Sequence, residues 1–150
     1  MKNFYMIDTY VSRSARPDKA DLRTLFKKGV RTIISLEEGW ADIFGWKKEP
    51  QEWRRLGGTW IQVKLSNIFA PTKGQLDAIM FLIEENSRTA RVHFHCLTGK
   101  DRTGFVAAYY EVKHEFITPQ QAWDLCCARG MHWHYRLFWK KAFFDLWGKK

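Results

Sequence analysis

The sequence predicts an α/β fold, and three observations carry that expectation. Short β-branched runs such as VRTIISL (residues 30–36) and RVHFH (residues 91–95) alternate with segments whose apolar residues recur every three or four positions. The prolines are isolated (Pro17, Pro50, Pro71, Pro119), and no repeat, low-complexity stretch or flexible linker divides the chain. The 150 residues suit one domain, 1–150, whose core needs no disulfide staples.

Each element follows from local chemistry. Residues 4–7 and 10–12 read as short strands. Residues 18–28 put Leu22, Leu25 and Phe26 on one helix face, with Gly29 as the stop. Residues 30–36 are those of a buried strand. Residues 40–56 are Trp-rich and predict partial helix with a break near Pro50. Residues 59–65 alternate like a strand. Pro71 and Thr72 open a helix to about Ser87, with Leu76, Ile79, Met80 and Ile83 at i, i+3, i+4 and i+7. After the strand at 91–95, residues 102–115 are apolar nearly all round, as in a central buried helix. Thr118-Pro119 starts another helix that stops at Gly130. The last segment predicts one helix with Tyr135, Phe138, Trp139, Ala142, Phe143 and Leu146 on a core stripe. Leu137, Phe144 and Trp147 lie partly off it and predict an exposed apolar patch.

Composition bounds the function. Apolar residues are 45% and aromatics 16%, with eight Trp, enough to exclude disorder as the main state. No apolar run approaches the ~20 residues of a membrane span, and Asp8 interrupts the N-terminus too early for a secretory segment. A soluble, cytoplasmic protein is therefore expected. Three cysteines, two of them adjacent (Cys126 and Cys127), make a poor disulfide framework and read as packing residues on a helix. Redox pairing of either with Cys96 is the minority alternative. The 25 Lys and Arg against 16 Asp and Glu give a net charge of +9, spread evenly along the chain, and a positive field that favours anionic ligands.

The segment with chemical content is His95-Cys96-Leu97-Thr98-Gly99-Lys100-Asp101-Arg102-Thr103-Gly104. It joins a strand to a helix start. A loop of that length directs successive backbone N–H groups toward one centre, and the helix dipole adds positive potential, so the loop is suited to phosphate. Arg102, six positions after Cys96, can grip two phosphate oxygens if the loop closes. A thiol at a helix N-terminus beside an arginine falls from ~8.5 into the range ~3.5–7.5. A thiolate beneath a cradled phosphate is an in-line nucleophile. A nucleotide-binding P-loop is excluded, because its first Gly would fall at Phe94 and its Ser/Thr at Asp101.

HCxxGKDRTG resembles the HCx5R(S/T) signature of the cysteine-dependent protein tyrosine phosphatase superfamily, and the small size resembles its dual-specificity branch. The stretch from Tyr10 to Pro17 (YVSRSARP), followed by a helix and GVRTIISL, resembles the opening of compact bacterial and fungal members. The resemblance implies a central, mostly parallel sheet of four or five strands flanked by helices. It implies that Cys96 attacks phosphorus to form a phosphocysteine and that Arg102 binds the phosphate. The amides of Leu97, Thr98, Gly99, Lys100, Asp101 and Arg102 would complete the cradle. Thr103 would hydrogen-bond the sulfur and His95 would order the loop through its ring. No metal or other cofactor is implied.

Members of this family usually carry a general-acid Asp about thirty residues before the cysteine. Here that region, Lys64 to Pro71, has no carboxylate, and Asn67 cannot serve as an acid. Asp77, on the following helix, is expected to face solvent. Asp101 is preferred, by resemblance to GKDR-type loops, and pairing with a nearby Lys or Arg is its alternative role. Lys100 and the net charge favour inositol polyphosphates or phosphoinositides over phosphotyrosine proteins, with Arg13, Arg16 and Lys64 as candidates for holding further phosphates. Nucleic acid is not an expected partner. Docking of the basic, aromatic C-terminal helix on an anionic membrane is the secondary, non-catalytic reading. His93 and His95 are expected on opposite sides of their strand, so that they share no metal. His132 and His134 read as surface residues or ligands.

Overall fold

Residues 1–38 and 48–148 are described by a computed structural model. Five strands, β1 (Tyr5–Met6), β2 (Val11–Ser14), β3 (Val30–Ser35), β4 (Thr59–Gln62) and β5 (Arg91–His95), form one sheet in the order β1-β2-β5-β3-β4. Only the edge pair β1–β2 is antiparallel. The sheet therefore matches the expected four or five mostly parallel strands. Its central strand β5 is flanked on both sides, and the loop bearing Cys96 leaves its carboxyl end, where open parallel sheets bind ligands.

Helices α1 (Lys19–Lys27) and α2 (Glu49–Leu56) cover one face, and Leu22, Leu25 and Trp53 pack there on Val30 and Ile33. On the other face α3 (Lys73–Ser87), α4 (Arg102–Lys113) and α5 (Pro119–Ala128) enclose the larger core with Ile34, Val92 and Phe94. Fully burying such a side chain contributes roughly 1.5–3 kcal/mol. Asp18, Thr72 and Thr118 begin α1, α3 and α5 with reciprocal capping boxes.

Several boundaries differ from the sequence reading. β4 ends at Gln62 rather than at 65, because Val63 and Leu65 donate to carbonyls of Ser35 and Leu36 beyond the ladder. Pro50 sits in the first turn of α2, where its missing N–H costs nothing. The helical expectation for residues 40–47 lies outside the described residues. The C-terminal helix is two pieces, α6 (Trp133–Phe138) and α7 (Lys140–Asp145), joined at Trp139. Trp139 turns inward, donates its indole N–H to the Ile68 carbonyl at 3.0 Å and packs edge-on against Phe105. Phe138, expected on the core stripe, is 74% exposed. No described helix is long and apolar enough to cross a membrane.

Candidate active site

A cavity of about 150 Å³ opens above the loop after β5, lined by Asn67, Cys96, Leu97, Thr98, Asp101, Arg102, Tyr135 and Trp139. Cys96 is buried at its floor. Among the described residues, the backbone N–H groups of Leu97, Thr98, Gly99, Asp101 and Arg102 donate to no other protein group. Arg102 begins α4 and donates from Nη1 to the Leu65 carbonyl at 3.3 Å, which holds its side chain beside the cavity. Unpartnered amides, a helix start and a guanidinium around one small cavity are groups that can bind an anion.

The loop's shape depends on its neighbours. Gly99 has φ +72°, and a Cβ there would lie 2.4 Å from the Ala15 nitrogen, so only glycine fits. Arg16 N–H donates to the Leu97 carbonyl at 3.2 Å, and Asn3 Nδ2 to the Thr98 carbonyl at 2.7 Å. Arg13 is almost fully buried on β2 and donates from Nη2 to the Gly99 carbonyl at 2.5 Å. Burial drives its pKa down. Arg13 thus braces the loop from beneath and does not stand at the mouth. Arg16 chelates Glu37 through Nε and Nη2, and Lys64 is exposed away from the cavity lining. None of these three candidate phosphate-holding residues lines the cavity. Lys100 instead lines a second cavity of about 530 Å³ with Lys2, Asn3, Ala15, Leu97 and Thr98, so the two cavities share the Leu97–Thr98 wall.

The motif implies that His95 orders the loop; its Nδ1 lies 3.4 Å from the Cys96 carbonyl oxygen. Two partners were not legible in sequence: Glu49 Oε2 lies 2.6 Å from Nε2, and Glu37 Oε2 3.4 Å from Nδ1. Burial works to remove the ring proton, but the two carboxylates outweigh it and lift the pKa to about 10. Burial likewise raises Glu37, yet the His95 and Arg16 hydrogen bonds win and hold it at about 2. The side chain of His93 lies on the same sheet face as that of His95, ring centres 6.5 Å apart, not on the opposite one. Residues two apart in a strand point the same way. His93 remains neutral, because burial pushes its pKa far down and His95 and Arg13 add to the effect; Ser12 and Ser14 hydroxyls occupy its two nitrogens. Glu37, Glu49 and His95 could present metal-ligand atoms within 4.8 Å of one another. These atoms are engaged with one another and with Arg16: His95 Nε2 lies 2.6 Å from Glu49 Oε2, and Glu37 Oε2 accepts from Arg16 Nε at 3.0 Å.

Asp101 is paired, but with neither Lys nor Arg. Its Oδ1 accepts the His132 backbone N–H at 2.9 Å, and its Oδ2 lies 2.7 Å from His132 Nδ1. Asp77 lies outside the cavity lining and is not simply solvated: the Tyr109 hydroxyl donates to it at 2.5 Å and Lys73 at 2.8 Å. Thr103 is buried, and its Oγ1 makes no hydrogen bond among the described residues, so the expected bond to the sulfur is not formed here. Tyr135 and Trp139 form an aromatic wall that the sequence reading took only as core stripe. Tyr135 donates its hydroxyl to the Asn67 carbonyl, closing the wall against the 66–69 loop, and burial raises its pKa. The three cysteines are free; burial pushes the Cys126 thiol up to about 12.

The family model described as "PTP-SAK: Swiss Army Knife protein, DSP-PTPase phosphatase domain" matches residues 5–137. The chain is 28% identical over 124 residues to phosphatidylglycerophosphatase and protein-tyrosine phosphatase 1 of Homo sapiens. That match covers 79% of this chain and 60% of the relative, so the chain spans about three-fifths of the human protein's length. The crystal structure of Tk-PTP in its active form superposes with a TM-score of 0.77 at 20% identity, covering 95% of this chain and 97% of that one. The core catalytic domain of the PP-IP phosphatase SIW14 from S. cerevisiae gives a TM-score of 0.74 at 16% identity, covering 96% and 87%.

Proposed function

We propose, starting from the fact that this chain belongs to the family of DSP-PTPase phosphatase domains, that it is a cysteine-dependent phosphomonoesterase for highly anionic substrates, inositol polyphosphates or phosphoinositides. One observation carries the reading: Cys96, Arg102 and the loop residues Leu97, Thr98 and Asp101 line one cavity, and the backbone amides of Leu97, Thr98, Asp101 and Arg102 have no protein acceptor among the described residues.

Phosphate oxygens take the loop amides, and Arg102 spans two of them. Cys96 Sγ, as thiolate, attacks phosphorus opposite the ester oxygen; the P–S bond forms as the P–O bond breaks. Asp101 gives its proton to the departing oxygen. In the second step Asp101 takes a proton from water as the water oxygen attacks phosphorus, and the P–S bond breaks to regenerate the thiolate. Thr103, whose buried hydroxyl has no partner among the described residues, turns to the sulfur and stabilises it as it leaves. The amides and Arg102 stabilise the charge that spreads over the phosphoryl oxygens, and this requires no metal. His95, held protonated between Glu37 and Glu49, fixes the carbonyl of Cys96 and thus the direction of the sulfur.

The preference for polyanions rests on Lys2 and Lys100, which flank the second cavity across the Leu97–Thr98 wall, and on the +9 charge. The SIW14 domain carries an inositol-pyrophosphate name, and the human relative a phospholipid one. A phosphotyrosine substrate is the second reading, supported by the Tyr135–Trp139 wall that could flank a phenyl ring. The deciding test is a substrate panel with a Cys96→Ser control: aryl phosphate, phosphotyrosine peptide, phosphoinositide and inositol hexakisphosphate. Highest kcat/KM on the inositol compounds is expected; highest on the peptide would shift the reading to phosphotyrosine.

A further inference from the structure

Large apolar side chains are exposed all along the two segments that wall the cavity. Leu97 lines it and is 50% exposed; Ile68 and Phe69, next after the lining residue Asn67, are 69% and 74% exposed. On α6, which supplies Tyr135 to the wall, Trp133, Leu137 and Phe138 are 71%, 67% and 74% exposed. Tyr135 and Trp139 turn inward, whereas Trp133 and Leu137, one turn apart, share an outward side.

These residues are held, not dangling. The Tyr135 hydroxyl and the Trp139 indole donate to the carbonyls of Asn67 and Ile68. Ser66 Oγ accepts the amides of Ile68 and Phe69 at 2.9 and 3.0 Å. Three aromatic side chains above 70% exposure on two braced, adjoining segments are a surface that usually meets a partner.

Charge identifies the partner. Segments 64–73 and 131–141 hold Lys64, Lys73, Arg136, Lys140 and Lys141 and not one Asp or Glu, in a chain with 16 acidic residues. Lys73 and Lys141 pair with Asp77 and Asp145 on their own helices. The two neighbouring carboxylates are engaged, Glu38 by the Asn67 amide and Asp101 by His132. Exposed Trp, Phe and Leu edged by cations are the composition of a face that lies in the headgroup region of an anionic membrane.

We propose that this rim docks on an anionic phospholipid bilayer, so that the cavity receives a phosphate ester borne on a lipid. Docking itself is independent of the chemistry; the lipid-borne substrate rests on the phosphatase reading above and selects among its anionic substrates.

The test is sedimentation of the whole chain with vesicles of phosphatidylcholine alone and of phosphatidylcholine with phosphatidylserine, at low and moderate salt. Binding to the anionic vesicles that weakens with salt is expected. The combined variant Phe69→Ala, Trp133→Ala, Leu137→Ala, Phe138→Ala should lose about tenfold or more in partitioning. A Lys64→Glu, Lys140→Glu pair should lose binding to anionic vesicles while keeping all the apolar groups. Both variants should unfold at the parent's temperature and hydrolyse a soluble aryl phosphate at the parent's rate, while slowing on a vesicle-borne phosphoinositide. Absence of vesicle binding by the folded parent overturns the proposal, as does undiminished binding by both variants. Self-association that the alanine variant abolishes, without vesicle binding, would assign the rim to a second copy and overturn it too. Vesicle binding by a protein inactive on every phosphate ester would uphold the docking and remove the phosphatase reading instead.

Discussion

Asp101 and Thr103 carry opposite kinds of information. The Asp101 carboxyl group is held by two contacts to His132, so its direction is set by a residue thirty-one positions away. If Asp101 is the acid, Asp101→Asn should slow esters with poor leaving groups by about 100-fold or more and spare activated aryl phosphates. Equal loss on both classes would remove the assignment. His132→Ala should reshape the pH–rate profile for the same poor leaving groups. The Thr103 hydroxyl is buried without a partner among the described residues, a situation that costs about 1–3 kcal/mol. Thr103→Val should therefore leave the unfolding temperature unchanged or raise it, yet slow release of phosphate from the enzyme. Rapid-quench detection of accumulating phosphoenzyme checks the second half of that expectation.

Three turns off the carboxyl ends of the strands converge through the ion network of Arg16, Glu37, His95 and Glu49, which ties β2, β3, α2 and β5 to one another. The sign of its pH dependence follows from the two displaced groups. His95 is raised from 6.5 to about 10, so its stabilising share is complete below 6.5 and is lost as pH climbs toward 10. Glu37 is lowered from 4.5 to about 2, so its share is complete above 4.5 and is lost as pH falls toward 2. Stability from this network should be greatest between 4.5 and 6.5. Thermal unfolding across pH 5–10 should decline at the alkaline end, and His95→Gln should flatten that decline. Glu49→Gln leaves a buried charge without one partner and should cost about 3–5 kcal/mol in denaturant unfolding. The element order, the helix starts at Thr72 and Thr118 and the buried stripe of α3 were readable because each depends on neighbours within about four residues. The split between α6 and α7 was not, because it is made by Trp139 reaching the carbonyl of Ile68.

The +9 charge acts over the whole molecule, and screening should tell the substrates apart. The kcat/KM for inositol hexakisphosphate should fall several-fold between low and physiological ionic strength, while that for a singly phosphorylated aryl ester falls less. A parallel fall for both would place the steering at the single phosphate in the loop and leave Lys2 and Lys100 without a part in binding.

The order of residues alone determined the α/β class and the loop from Cys96 to Arg102 with its strand before and helix after, the features from which an anionic ligand is proposed. Those features are local: a spacing, a backbone that must turn on Gly99, a helix start. Which cations stand near that loop was decided by the folded chain. Arg13, Arg16 and Lys100 look alike along the sequence, yet strand pairing buries the first, Glu37 occupies the second, and only the third reaches a cavity beside the loop. Long-range partners such as Glu49 for His95 and His132 for Asp101 leave no periodic trace, because contact between distant segments is set by how the layers pack.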